Sequence, residues 1–168
     1  MVLFFDEGRF GLHSTYNRVW AKRGSAPTVK VKQGYKNFYA YSAVDPFNGE
    51  QFTLFLPEVN SEMMNIYLKE LSNEYPSKNI LLIMDQAGWH KSSYLITPKN
   101  IKFSYLPPYS PELNPVERLW KWLKKECIHN SVFETLTEIM DTLQEEYRLL
   151  TKETLASLCK CNYLCNVI

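Results

Sequence analysis

Apolar residues change their spacing partway along the chain, and the change divides it into two halves. Val2 to Phe5 is an unbroken apolar run that predicts a central strand ending at Asp6. Asn17 to Gly24 and Thr28 to Lys32 read as short strands around the turn Gly24-Ser25-Ala26-Pro27. Tyr35 to Val44 and Gln51 to Leu56 flank Asp45-Pro46-Phe47-Asn48-Gly49, a hairpin signal. From Ser61 the period becomes helical, with Met64, Tyr67, Leu68 and Leu71 on one side and a stop before Pro76. Ile80 to Met84 predicts a strand buried on both faces and ending at Asp85. Ile101, Phe103 and Tyr105 alternate with Lys102 and Ser104, as in a half-buried strand, and Pro107-Pro108 closes it. A helix from Pro115 to about Cys127 carries Val116, Leu119, Trp120 and Leu123 on one stripe. A last long helix is expected from Ser131, with Glu134 completing a capping box and Phe133, Leu136, Met140, Leu143 and Tyr147 on its apolar face. Strands first, then strand and helix alternating, predict one α/β domain built on a mixed sheet.

Composition adds limits more than content. The 168 residues suit a single domain, and 45% hydrophobic with 22% charged residues excludes a disordered chain. The longest apolar run is far too short to span a bilayer, and MVLFFDEGRF has no basic n-region before an apolar segment, so a cytoplasmic protein is the expectation. Charge is informative in its distribution. No Asp or Glu stands between Gly8 and Val44, whereas Arg9, Arg18, Lys22, Arg23, Lys30, Lys32 and Lys36 all do. This pattern suits a face turned towards phosphates, or a sheet edge guarded by cations. Cys127, Cys159, Cys161 and Cys165 lack the C-x-x-C spacing of structural zinc sites and are read as reduced thiols.

The chemistry lies in the acids. Asp6 follows VLFF and Asp85 follows LLIM, and ligands of α/β sheets bind beyond the carboxyl ends of strands. If the two strands are parallel neighbours, their carboxylates converge. Glu117 stands in the first turn of a helix after another strand. Three acids at one sheet end can hold two hard divalent ions through oxygen, and such a pair serves in-line phosphoryl transfer. Each acid also has a plainer reading. Asp6 and Asp85 suit turns or N-caps. Asn114-Pro115-Val116-Glu117 reads as a capping box with Glu117 at N3.

The combination is more specific than its parts. The segments DQAGWHKS and FSYLPPYSPELNPVERLWKWLKK, with FFDEGRFGL and RVWAKRGSAP upstream, resemble the bacterial insertion-sequence branch of the mariner transposase superfamily. The likeness runs from Val2 to about Leu158. It implies a ribonuclease-H-like, five-stranded mixed sheet flanked by helices. It implies an acidic triad of Asp6, Asp85 and Glu117 that binds magnesium, or manganese in its place, with two ions expected. It further implies hydrolysis at transposon ends and attack by the freed 3′ hydroxyl on target DNA, by a homodimer assembled on DNA at the bacterial nucleoid. His90 matches the family's histidine as a supporting residue, its alternative being a surface helix histidine. Asn114 is expected to shape the turn that presents Glu117.

Gln86 stands where the family usually has Asn, and the step from Asp85 to Glu117 is a few residues short; Thr97-Pro98-Lys99-Asn100 is the expected place of the deletion. The N-terminal helix-turn-helix region of such transposases is expected to be absent, since Asp6 comes so soon after Met1. Two alternatives stay open: another ribonuclease-H-like nuclease, and a non-catalytic DNA-binding or dimerising remnant. Core packing is expected for Trp20 and Trp120, and a surface role for Trp122.

Overall fold

The computed structural model describes residues 1–13, 21–25, 28, 34–129, 131–161 and 163. Five strands form one sheet in the order β3-β2-β1-β4-β5. They are β1 (Val2–Gly11), β2 (Asn37–Val44), β3 (Gln51–Leu56), β4 (Ile80–Met84) and β5 (Ile101–Tyr105). The first three form an antiparallel meander, and β4 and β5 run parallel to β1. The helices are α1 (Ser61–Glu74), α2 (Val116–Leu123), α3 (Leu136–Leu149) and α4 (Lys152–Leu158). This is the mixed five-stranded α/β architecture expected.

Strand alternation sorts the apolar residues into two cores, one on each face of the sheet. Leu3, Phe5, Tyr41, Ala43, Leu82 and Met84 meet Met64, Tyr67, Leu68 and Leu71 of α1. Phe4, Phe10, Phe38, Ala40 and Val44 meet Val116, Leu119, Trp120 and Leu123 of α2, Ile139 and Leu143 of α3, and Leu155 of α4.

Several boundaries differ from expectation, each for a local reason. β1 does not end at Asp6. It runs on to Gly11 because β2 pairs with it throughout, from Phe4↔Val44 to Gly11↔Asn37. β4 is fully covered on the α1 face, but on the other face only in part: Leu81 is 38% exposed, while Ile83 packs half-buried against the α2–α4 core. The last long helix is two, α3 and α4, and α3 starts at Leu136 instead of Ser131. Both Ser131-x-x-Glu134 and Thr135-x-x-Glu138 match a capping box. Thr135 Oγ1 accepts from the Glu138 N–H at 3.2 Å, and Glu138 Oε2 accepts from the Glu134 N–H at 2.8 Å. This phase buries Ile139 with Leu143 one turn on. α2 likewise gives way at Leu123 to a π-helical turn, Lys124–Ile128. The strands expected over 17–24 and 28–32 lie mostly outside the described residues; residues 21–25 form an exposed turn.

No helix among the described residues is long and apolar enough to cross a membrane. The hairpin between β2 and β3 folds around buried Asp45. Its Oδ1 accepts from the N–H groups of Phe47 (2.8 Å) and Asn48 (3.2 Å). Gly49 closes the turn at φ 67°, a left-handed conformation suited to glycine. A Cβ there would also lie 1.9 Å from the carbonyl oxygen of Lys152 in α4. We therefore expect Gly49→Ala to destabilise the fold by about 1–3 kcal/mol, checked by urea unfolding.

Candidate active site

β1 and β4 lie side by side in the register Val2↔Leu81, Leu3↔Leu82, Phe4↔Ile83. Two further steps bring Asp6 level with Asp85. The chain leaving β5 then turns through Pro107 and Pro108 to α2, whose first turn holds Glu117. Asp6, Asp85 and Glu117 all line one cavity of about 480 Å³, with Gln86, Leu106 and Asn114 among its other walls. The convergence expected for parallel neighbours is present, although β1 continues past its acid.

Glu117 is not held in a capping box. The Asn114 N–H, which such a box would offer to the Glu117 side chain, donates instead to Pro111 O at 2.9 Å. Asn114 is buried and works as a clamp. Its Nδ2 donates to Phe5 O at 2.9 Å, and its Oδ1 accepts from the Val116 N–H at 3.2 Å. The start of α2 is thereby tied to the backbone of β1 one residue before Asp6.

Asp6 is strongly perturbed by its surroundings. Burial raises its carboxyl pKa, and the neighbouring charge of Glu7, then that of Glu117, raises it further; it stands at about 7. The indole of Trp120 opposes the rise, with Nε1 donating to Asp6 Oδ2 at 2.8 Å. Gly8, two residues on and so on the same face, makes room for that indole. A Cβ at Gly8 would stand 2.8 Å from Trp120 Cδ2.

Asp85 is a turn residue that also borders the cavity, and its Oδ1 accepts from the Ala87 N–H at 3.0 Å. The same Oδ1 lies 2.7 Å from Nδ1 of His90. His90 is 1% exposed, so it is not a surface helix residue. Its Nε2 lies 2.9 Å from Glu7 Oε1. Burial alone would lower the imidazole pKa. The hydrogen bond and charge of Glu7, with those of Asp85, outweigh burial and raise it.

Glu7, Trp89 and Tyr105 are the residues that pattern reading passed over here, whereas Trp120, expected in the core, is buried there and also reaches Asp6. Trp89 Nε1 donates to Glu7 Oε1 at 3.1 Å, and Tyr105 Oη to His90 O at 2.9 Å. The adjacent pair Asp6-Glu7 held the signal, since consecutive strand residues face opposite ways and two acids there place charge on both faces. Trp122, expected at the surface, packs partly buried against the α2–α4 core. Of the basic stretch, Arg9, Lys22, Arg23 and Lys36 are exposed, and none of them lines the cavity. Arg18, Lys30, Lys32 and Trp20 lie outside the described residues. Burial pushes the thiols of Cys127 and Cys159 up to about 12, as for packed apolar side chains.

Known proteins share this architecture. The family model of the DDE superfamily endonuclease matches residues 1–140. The chain belongs to that superfamily. It is 38% identical over 103 residues to an uncharacterized protein, y4pE/y4sA, of Sinorhizobium fredii, covering 61% of this chain and 76% of the relative. It is 27% identical over 144 residues to the insertion element IS630 uncharacterized 39 kDa protein of Shigella sonnei, covering 83% of this chain and 42% of that one. Among solved structures, the fold is similar to the Mos1 mariner paired end complex with Mn (TM-score 0.71, 16% identity). That match covers 94% of this chain and 51% of the Mos1 chain. The catalytic domain of Mos1 mariner transposase matches at TM-score 0.64 and 13% identity, covering 94% of this chain and 74% of that one. The fold is thus the ribonuclease-H-like one of the Mos1 catalytic domain. The chain spans about half the length of the Mos1 chains in the complexes it matches, and less than half of the IS630 protein.

The pKa of Asp6 fixes a sign. The folded protein keeps a proton up to about pH 7 that the unfolded chain releases near the ordinary value of 3.8. Stability should therefore fall as pH rises through that window, by at most about 1.4 kcal/mol per pH unit. Asp6→Asn keeps an acceptor for the indole and never ionises. With divalent ions chelated, Tm measured across pH 4 to 8 should show Asn gaining on Asp steadily and levelling above pH 7. A constant difference would mean that Asp6 is not perturbed.

Proposed function

We propose that this chain is the catalytic domain of a transposase that uses divalent metal ions to cut DNA strands at transposon ends and join them to target DNA. The observation that carries the proposal is the meeting of three carboxylates from β1, β4 and the start of α2 in one cavity. Membership of the DDE endonuclease superfamily supports it. So do the similar Mos1 structures, among them complexes with a left transposon end, with Mn and with Mg.

The donor set suits magnesium or manganese, which prefer carboxylate oxygen. Among the described residues, no three such side chains stand close enough to ligate a single ion. In this reading two ions would be shared among the three carboxylates, as the resemblance implies. Bound there, the ions would supply charge neutralisation on the scissile phosphate and a more acidic attacking hydroxyl. The chain's own contribution is placement. Strand register sets Asp6 against Asp85, and the Asn114 clamp sets Glu117 against β1. The proton that Asp6 holds at neutral pH must leave for it to serve as an anionic ligand.

The basic stretch supplies the DNA contacts in this reading: Arg9, Arg18, Lys22, Arg23, Lys30, Lys32 and Lys36 would meet phosphates and not bases. Assembly on DNA as a homodimer, at the bacterial nucleoid, belongs to the same proposal.

Two measurements test it. Glu117→Gln preserves helix propensity and removes one negative charge. Nicking of transposon-end DNA in Mn²⁺ should fall by orders of magnitude while Tm holds or rises. A folded Gln variant that cuts at the wild-type rate would refute the triad. Replacing Lys22, Arg23 and Lys36 together by Ala should flatten the salt dependence of DNA affinity, by about 0.9 in log–log slope for each phosphate left without its cation. An unchanged slope would place the DNA elsewhere.

A further inference from the structure

We propose that Glu7 is a positioning residue for the Asp85 carboxylate, acting through the His90 ring. The inference rests on Asp85 being a metal ligand.

Asp6 and Glu7 are consecutive in β1 and so face opposite sides of the sheet. Asp6 borders the cavity and Glu7 does not. The Glu7 side chain is only 7% exposed, on the face of the sheet packed by α1. A buried carboxylate is costly unless it is hydrogen-bonded. One Glu7 oxygen accepts from Trp89 Nε1 at 3.1 Å and lies in hydrogen-bonding contact with His90 Nε2 at 2.9 Å.

His90 is thereby fixed at both nitrogens, since Nδ1 holds Asp85 Oδ1 at 2.7 Å. The edge contact with Phe5, 5.6 Å between ring centroids, further limits rotation of the imidazole. Tyr105 Oη, bonded to the His90 carbonyl, holds the backbone of the short turn Gly88–Lys91 that carries the ring. Asp85 itself is 56% exposed at its side chain and would otherwise be free to turn about its bonds. With Oδ1 occupied by His90 and by the Ala87 N–H, the carboxylate, which borders the cavity, is held in one orientation. Two adjacent acids of one strand thus serve the same site by different routes. Asp6 enters it directly, and Glu7 orients the acid of the neighbouring strand. Outer partners of this kind fix the direction of a ligand and tune its affinity.

Mn²⁺ binding, measured by calorimetry on the folded protein without DNA, tests the proposal. Asp85→Asn is the reference and should weaken Mn²⁺ binding. Glu7→Ala should weaken it by about 10–100-fold, the usual range when an outer partner is removed. Glu7→Gln should recover most of that affinity, because the amide still bonds Nε2 and holds the ring without a charge. In nicking assays Glu7→Ala should raise the half-saturating Mn²⁺ concentration and leave the rate at saturation close to wild type. Should Ala fail to fold, Glu7→Met fills the same space and carries the test. Glu7→Ala or Glu7→Met binding Mn²⁺ like wild type, while Asp85→Asn does not, would overturn the positioning role alone. Gln as weak as Ala would overturn it in favour of simple charge. Asp85→Asn binding like wild type would remove the metal reading itself, and this proposal with it.

Discussion

The parallel pairing of β1 with β4 sets where every other part of the site stands. Parallel strands carry their side chains level with one another, so a pairing of three residues determines which acid meets which. The pairing is short, and burial makes it secure. Leu3 and Leu82 face the α1 core together, and a slip of β1 by one residue would turn Leu3 outward and Asp6 away from the cavity. The apolar packing that specifies the register is thus also what assembles the acids.

That register was only partly legible in the sequence. The apolar runs before Asp6 and Asp85 marked two strands that carry acids, although only the second strand ends there, and the helical stripe of α2 marked the element that carries the third. The true length of β1 was hidden, because Asp6-Glu7-Gly8-Arg9 reads as polar turn material. It is a strand because β2 pairs with all of it and Trp120 covers Gly8. The start of α3 was ambiguous for another reason. Two capping signals four residues apart are equivalent by pattern, and only the burial of Ile139 against the sheet chooses between them. His90 was visible as a motif residue, but its burial depends on Glu7, a partner 83 positions away.

The site also shows how a fold accommodates acids that oppose one another. Three carboxylates around one cavity repel, and burial of Asp6 adds a cost. The structure offsets this locally, with the Trp120 indole on Asp6 and the His90 ring between Asp85 and Glu7. Each donor serves one oxygen of its carboxylate. Support of this kind stabilises the acids without enclosing them, and it concentrates the sensitivity of the domain to pH and cations at the end of the sheet where chemistry would occur.

The contact between Trp120 and Asp6 makes the site readable by light. A hydrogen bond from an indole N–H strengthens when its acceptor becomes ionised. The ring is packed beside Phe10, with 6.0 Å between centroids, and is held over Gly8. Ionisation of Asp6 should therefore perturb the near-ultraviolet absorption and circular dichroism of this indole, one of the chain's four tryptophans. The domain holds its own optical gauge at the strand where its acids meet.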